Sequence, residues 1–177
     1  LIETAREAKT AGQTIPAFLF HFSGHGSLAR DASGLKATGM DETIVPHDSR
    51  QAGIFDIKDW ELGALFDELA TYTQNITVIL DCCHSGSGTR DAELPTRQCF
   101  PDLRPQPVRP AAMASGTRSV TVTDTNDLNT HVLLAACSHS QSANEYLDSA
   151  SPENRIYGAL SFALSQELSQ PGSVLPT

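Results

Sequence analysis

Two short apolar runs, each closing on a polar turn that contains glycine, constrain this chain more than any other feature. The first, Ala17-Phe-Leu-Phe-His-Phe22, runs into Ser23-Gly24-His25-Gly26. The second, Ile76-Thr-Val-Ile-Leu80, runs into Asp81-Cys82-Cys83-His84-Ser85-Gly86. Near-continuous apolar strands are what a parallel sheet buried on both faces requires. Between them Leu62, Leu65, Phe66 and Leu69 line one face of a helix that Asp59 caps or precedes. Strand, helix, strand is a βαβ unit, and its right-handed crossover lays the second strand parallel to the first. The predicted fold class is α/β with a mostly parallel sheet.

The rest of the chain is less regular. Residues 1–11 read as a short helix stopped by Gly12, and residues 27–56 as an irregular excursion. His131-Val-Leu-Leu-Ala-Ala-Cys137 is a third buried strand. Leu160, Ala163, Leu164 and Leu168 mark a second amphipathic helix, broken before Pro171-Gly172. From Gly86 to Thr130 there is no periodicity. Five of the ten prolines fall between Pro95 and Pro110, and Arg90, Arg97, Arg104, Arg109 and Arg118 supply five of the twelve basic residues. Such a stretch inside a compact domain is a functional loop or a linker.

Composition excludes some functions. A formal charge of −9 over 177 residues leaves little electrostatic grip on nucleic acid or anionic lipid. No apolar run nears the roughly 18 residues that span a bilayer. The N-terminus has neither the basic start nor the apolar core of a signal peptide, and no initiator Met. The expectation is a cytoplasmic or nuclear protein without membrane or nucleic-acid partners. Four cysteines are too few for a disulfide scaffold, so thiols are expected.

Open parallel sheets bind ligands beyond the carboxyl ends of their strands. Here those ends deliver His25 and Cys83, and an imidazole beside a thiol makes it a nucleophile. Blander readings compete. A cysteine at a strand end can be buried packing, His84 can simply occupy its turn, and Trp60 can be the apolar face of its helix. Asp41-Glu42 can be a solvated turn, Cys99 and Cys137 incidental, and the linker arginines mere solubilisers. Zinc on His21, His25, Cys82, Cys83 and His84 is disfavoured, because adjacent cysteines chelate one tetrahedral ion poorly. A Cys82–Cys83 disulfide would be strained.

Phe22-Ser-Gly-His-Gly26 followed by Asp81-Cys-Cys-His-Ser-Gly86 resembles the metacaspases, caspase-like cysteine peptidases. Gly39-Met-Asp-Glu-Thr-Ile-Val-Pro46, the strand at His131 to Cys137 and Tyr157-Gly-Ala-Leu160 are similar to further family segments. The resemblance covers about residues 15–168, and the animal caspase signature Gln-Ala-Cys-x-Gly is absent. It implies a three-layer αβα sandwich, short at both ends. Residues 1–177 would form one domain: a large-subunit-like part at 1–89, a flexible linker at 90–130 and the start of a small-subunit-like part at 131–177.

The resemblance also implies roles. His25 matches the catalytic histidine and Cys83 the nucleophile, with Cys82 at a variable position beside it. The amides of Gly26 and Cys83 would form the oxyanion hole, and Ser23 and Asp81 would line a pocket for Arg or Lys. Protein or peptide substrates with basic residues would be the partners, programmed cell death the setting, and linker arginines candidate sites of self-cleavage. The chemistry needs no cofactor. Calcium is the activator in many members, with Asp41, Asp56, Asp59 and Asp91 as candidate ligands, although the family's paired acidic residues are Asp56 and Ile57 here. The alternative is a catalytically silent caspase-like module for regulation or recruitment.

Overall fold

The structure is a computed structural model and describes residues 2–83, 97–111, 131–138 and 141–170. Its central sheet has three parallel strands in the order β1-β5-β6. These are β1 (Phe18–Ser23), β5 (Ile76–Asp81) and β6 (Val132–Ala135). The β1–β5 pairing runs from Phe18 opposite Ile76 to Ser23 opposite Asp81, so both strands end level.

Alternation along the strands builds the layers. Phe18, Phe20 and Phe22 of β1 face the same way as Ile76, Val78 and Leu80 of β5. They pack against α1 (Ile2–Thr10) and α2 (Asp59–Leu69) through Ala5, Leu62, Phe66 and Leu69. Phe66 is fully buried and meets Phe20 edge-on, with ring centroids 5.5 Å apart. Asp59 opens α2, its carboxylate accepting the Trp60 N–H, while Glu61 accepts that of Lys58. On the opposite face lies α3 (Ala159–Leu168), held by Ser161, whose N–H reaches Asp81 and whose hydroxyl pairs with His21. This is the helix–sheet–helix order that the sequence predicts.

Residues 27–56 differ from the irregular excursion predicted. They hold most of a second sheet, β2 (His25–Arg30), β3 (Met40–Val45) and β4 (Ile57–Lys58), all antiparallel. Its inward residues include Ser27, Asp41 and Thr43, buried but polar, so the apolar alternation that marks a strand is missing. A third pairing, β7 (Glu145–Asp148) with β8 (Arg155–Gly158), is also antiparallel and leads directly into α3.

Within the predicted linker, residues 97–102 run beside β2. Cys99 and Asp102 donate their N–H groups to the carbonyls of Gly26 and Leu28, and the Ser27 hydroxyl donates to that of Phe100. Arg104 binds the buried Asp102 carboxylate with two nitrogens and caps the carbonyls of Gln51 and Ile54. This part of the linker is docked by main-chain and guanidinium hydrogen bonds, which leave no hydrophobic period to read.

Candidate active site

The site forms where β1 and β5 end. Ser23 and Asp81 are register partners, and His25 and Cys83 each follow two residues later. Gly24 ties the turn down by donating to the Asp81 carbonyl. His25, expected within the turn, is the first residue of β2, opposite Val45. At Gly26 the two chains press together so closely that a Cβ would coincide with the Cys83 carbonyl. Only glycine fits there.

Two amides converge from these elements. The N–H groups of Gly26 and Cys83 both donate to the Arg97 carbonyl, at 3.0 and 3.1 Å. Two donors on one carbonyl oxygen have the geometry of an oxyanion hole.

The thiol itself points elsewhere. Cys83 is fully buried, and its Sγ accepts the Ala143 N–H at 2.9 Å. The Cys137 thiol, hydrogen-bonded to it, is the main cause that holds the Cys83 pKa down at about 7. Burial opposes that shift, and further hydrogen bonds from Ala143, Arg97 and Ser142 assist it. His25 is exposed, and among the described residues no hydrogen bond joins it to Cys83. The fold brings the pair to one edge without pairing the side chains. Cys82 faces the core beside Leu80, and burial pushes its thiol pKa up. All four cysteines are free thiols.

Because thiolate is the form that alkylates, labelling of Cys83 should rise through about pH 7 rather than near the ordinary 9.0. Removing the Cys137 donor should move that midpoint upward. Iodoacetamide labelling followed by peptide mass spectrometry measures it, and an unmoved midpoint in Cys137→Ala would assign the shift to other groups.

Ser23 and Asp81, the predicted pocket residues, both meet the Arg97 guanidinium. Its Nη1 donates to Ser23 Oγ at 2.6 Å and to the Asp81 main-chain carbonyl at 3.1 Å. The Asp81 carboxylate, fully buried, accepts the Ser161 N–H on Oδ2, while Oδ1 has no hydrogen-bond partner among the described residues. Glu145 brings a carboxylate to 3.9 Å from Arg97 Nε. Sequence reasoning missed Glu145, Ala143, Cys137 and the placing of Arg97. Glu145 and Ala143 lie around a four-residue strand with no motif, and only tertiary packing brings them to the site.

Of the predicted calcium ligands, Asp41, Asp56 and Asp59 lie among the described residues. Asp56 is bound by Arg50, Ser49 and Thr43. Asp41 lies 3.8 Å from Lys58 Nζ, and burial, then Asp59, raises its pKa. Asp59 pairs with Lys36. Each of these three carboxylates thus has a protein cation beside it. Among the described residues no group of three or more His, Cys, Asp or Glu could hold a metal. Asp91, His84, Arg90 and Arg118 lie outside the described residues. No helix among the described residues is long and apolar enough to cross a membrane.

Comparison with known proteins follows the same residues. A family model described as metacaspase, peptidase C14 domain, matches residues 6–90. Metacaspase-1 of Mycosarcoma maydis is 44% identical over 71 residues, covering 40% of this chain and 17% of that protein. Metacaspase-2 of Arabidopsis thaliana is 41% identical over 69 residues, covering 39% of this chain and 16% of its own length. Metacaspase-1 of Schizosaccharomyces pombe is 34% identical over 86 residues, covering 49% and 20%. The chain thus spans a fifth or less of the length of these curated relatives. The His25 and Cys83 motifs both lie inside the matched stretch, so residues 6–90 are similar to the metacaspase peptidase C14 domain.

Proposed function

We propose that this chain is a cysteine-type endopeptidase that cleaves after Arg or Lys. Cys83 Sγ attacks the carbonyl carbon of the basic residue, and the thiol proton passes to His25. The developing oxyanion takes the Gly26 and Cys83 N–H groups. His25 then protonates the departing amine as the C–N bond breaks, leaving a thioester on Cys83. Water, deprotonated by His25, hydrolyses the thioester and frees the new carboxylate.

The observation that carries this reading is the convergence of the Gly26 and Cys83 amides on one carbonyl oxygen. The mechanism requires Cys83 to rotate about Cα–Cβ, away from Ala143 and toward His25. Basic specificity is assigned to Ser23, Asp81 and Glu145, supported by a guanidinium that already meets the Ser23 hydroxyl, the Asp81 main-chain carbonyl and the Glu145 carboxylate.

The test is hydrolysis of fluorogenic peptides with Arg, Lys or Asp before the cleaved bond, by the unaltered and the Arg97→Ala chains. Arms with calcium and with chelator are included. Turnover should favour Arg and Lys and fall at least about a thousandfold in Cys83→Ala and His25→Ala. No hydrolysis by either chain in any arm would leave the silent regulatory module as the reading.

A further inference from the structure

Cys137, buried beside the nucleophile, forms and breaks no bond in the hydrolysis proposed above. β5 and β6 are parallel neighbours, with Leu80 opposite Ala135 and the Ala136 N–H still donating to the Leu80 carbonyl at 2.9 Å. Cys83 and Cys137 follow Leu80 and Ala135 by three and two residues. Adjacent strands lie about 4.8 Å apart, inside the Cα span of about 4.4–6.8 Å that a disulfide bridges. Beyond the strand ends the two side chains stay together. They share one buried cluster with Ala143, and the Cys137 thiol is hydrogen-bonded to the Cys83 sulfur. Cys137 Sγ also lies 3.6 Å from the carbonyl oxygen of Cys82. The other two cysteines are placed differently: Cys82 faces the apolar core with Leu80 and Phe66, and Cys99 lies in the field of Arg50 and Asp56.

We propose that Cys83 and Cys137 are a redox pair, closed to a disulfide by hydroperoxide and reopened by thiols, which keeps the nucleophile silent but recoverable under oxidation. Two steps balance the chemistry. The Cys83 thiolate attacks one oxygen of hydrogen peroxide; the O–O bond breaks and the second oxygen leaves as hydroxide, which takes a proton to become water. Cys83 is then a sulfenic acid. The Cys137 sulfur attacks Cys83 Sγ, the S–O bond breaks, and the hydroxyl departs as water with the proton given up by Cys137. Each sulfur has lost one electron, two waters have formed, and a dithiol reductant reopens the bond by exchange.

The fold suits each step. His25, toward which Cys83 turns for hydrolysis, is exposed, so peroxide reaches the sulfur in that rotamer. In the rotamer observed, Cys83 is fully buried and packed on Cys137. A sulfenic acid that turns back therefore meets a thiol before it meets a second peroxide. Without a resolving thiol, further oxidation to sulfinic acid is irreversible. A Cys83 pKa of about 7 keeps much of that sulfur as thiolate at neutral pH. The loss of hydrolysis rests on the peptidase reading above, whereas the disulfide stands apart from it.

The experiment reads the bond directly. The 177-residue chain, reduced and freed of reductant, is treated with a small molar excess of hydrogen peroxide at neutral pH, unfolded in iodoacetamide and cut with trypsin. Cys99, Cys137 and the Cys82-Cys83 pair then fall on three separate peptides, and fragmentation tells Cys83 from Cys82. A Cys83–Cys137 link is expected, with Cys99 still alkylated, and Cys82→Ala should form the same link. In Cys137→Ala and Cys137→Ser the same dose should carry Cys83 on to sulfinic acid. Hydrolysis regained in dithiothreitol, relative to each chain's own reduced rate, should be at least about tenfold greater with Cys137 than without it. If both variants fail to fold, the link in the unaltered chain decides alone. Cys83 left unoxidised, or oxidised to sulfinic acid with no link to Cys137, or linked to another cysteine, would overturn the pair. A reversible link in a chain that hydrolyses no peptide when reduced keeps the pair and removes the peptidase. Hydrolysis that peroxide abolishes irreversibly, equally with and without Cys137, does the reverse.

Discussion

Gly26→Ala is expected to abolish peptide hydrolysis. The added Cβ would coincide with the main-chain carbonyl of Cys83, and neither group is the movable tip of a side chain. The start of β2 must therefore shift away from the end of β5, which pulls the Gly26 amide off the oxygen it shares with Cys83. Losing one such donor typically costs about 10²–10³ in rate, and displacing the strand that follows His25 adds to it. Turnover at least about a thousandfold lower is expected, with stability reduced by about 1–3 kcal/mol for the overpacking. Gly24→Ala is the control. Its Cβ would meet the Phe22 ring edge at 2.7 Å, and a ring can tilt. Stopped hydrolysis in the first variant beside retained hydrolysis in the second would locate the effect at the amide. Equal activity in both would remove the oxyanion assignment.

Asp81→Asn should have the second largest effect, and a selective one. Asparagine still accepts the Ser161 N–H that Asp81 Oδ2 now takes, so α3 stays docked. What is lost is a fully buried carboxyl group at the end of β5, where the main-chain carbonyl of the same residue meets a guanidinium. If that carboxylate pairs with the substrate's cation as proposed, its removal costs about 2–5 kcal/mol. Measured in the Arg97→Ala background, kcat/KM for Arg and Lys peptides should therefore fall roughly a hundredfold or more. A peptide with a neutral residue at that position should change little. A uniform loss across all three peptides would place Asp81 in folding and not in specificity.

The parts of the fold legible in the sequence are those with an apolar period. Phe18 to Phe22 and Ile76 to Leu80 each put a hydrophobic residue on the helix-covered face at every second position. Leu62, Phe66 and Leu69 do the same at helical spacing. The second sheet was hidden because it buries Ser27, Asp41 and Thr43, whose polar groups are satisfied by partners distant in sequence, such as Phe100, Trp60 and Asp56. Polar burial of this kind has no one-dimensional signature. The site divides the same way. His25, Gly26, Asp81 and Cys83 stand in motifs at strand ends, where chain direction alone brings them together. Glu145, Cys137 and Arg97 arrive through separate pairings and a docked segment, and no local rule selects them.

The level ending of β1 and β5 has a consequence for when chemistry can exist. His25 and Cys83 sit at equal offsets beyond Ser23 and Asp81, which are register partners. A slip of one residue in that pairing would exchange the two faces of a strand, expose its phenylalanines and draw the two reactive groups out of step together. Native register is thus a precondition for any hydrolysis by this pair. A misfolded or half-built chain carries a thiol and an imidazole but no machine that couples them, so the sheet acts as its own proofreader.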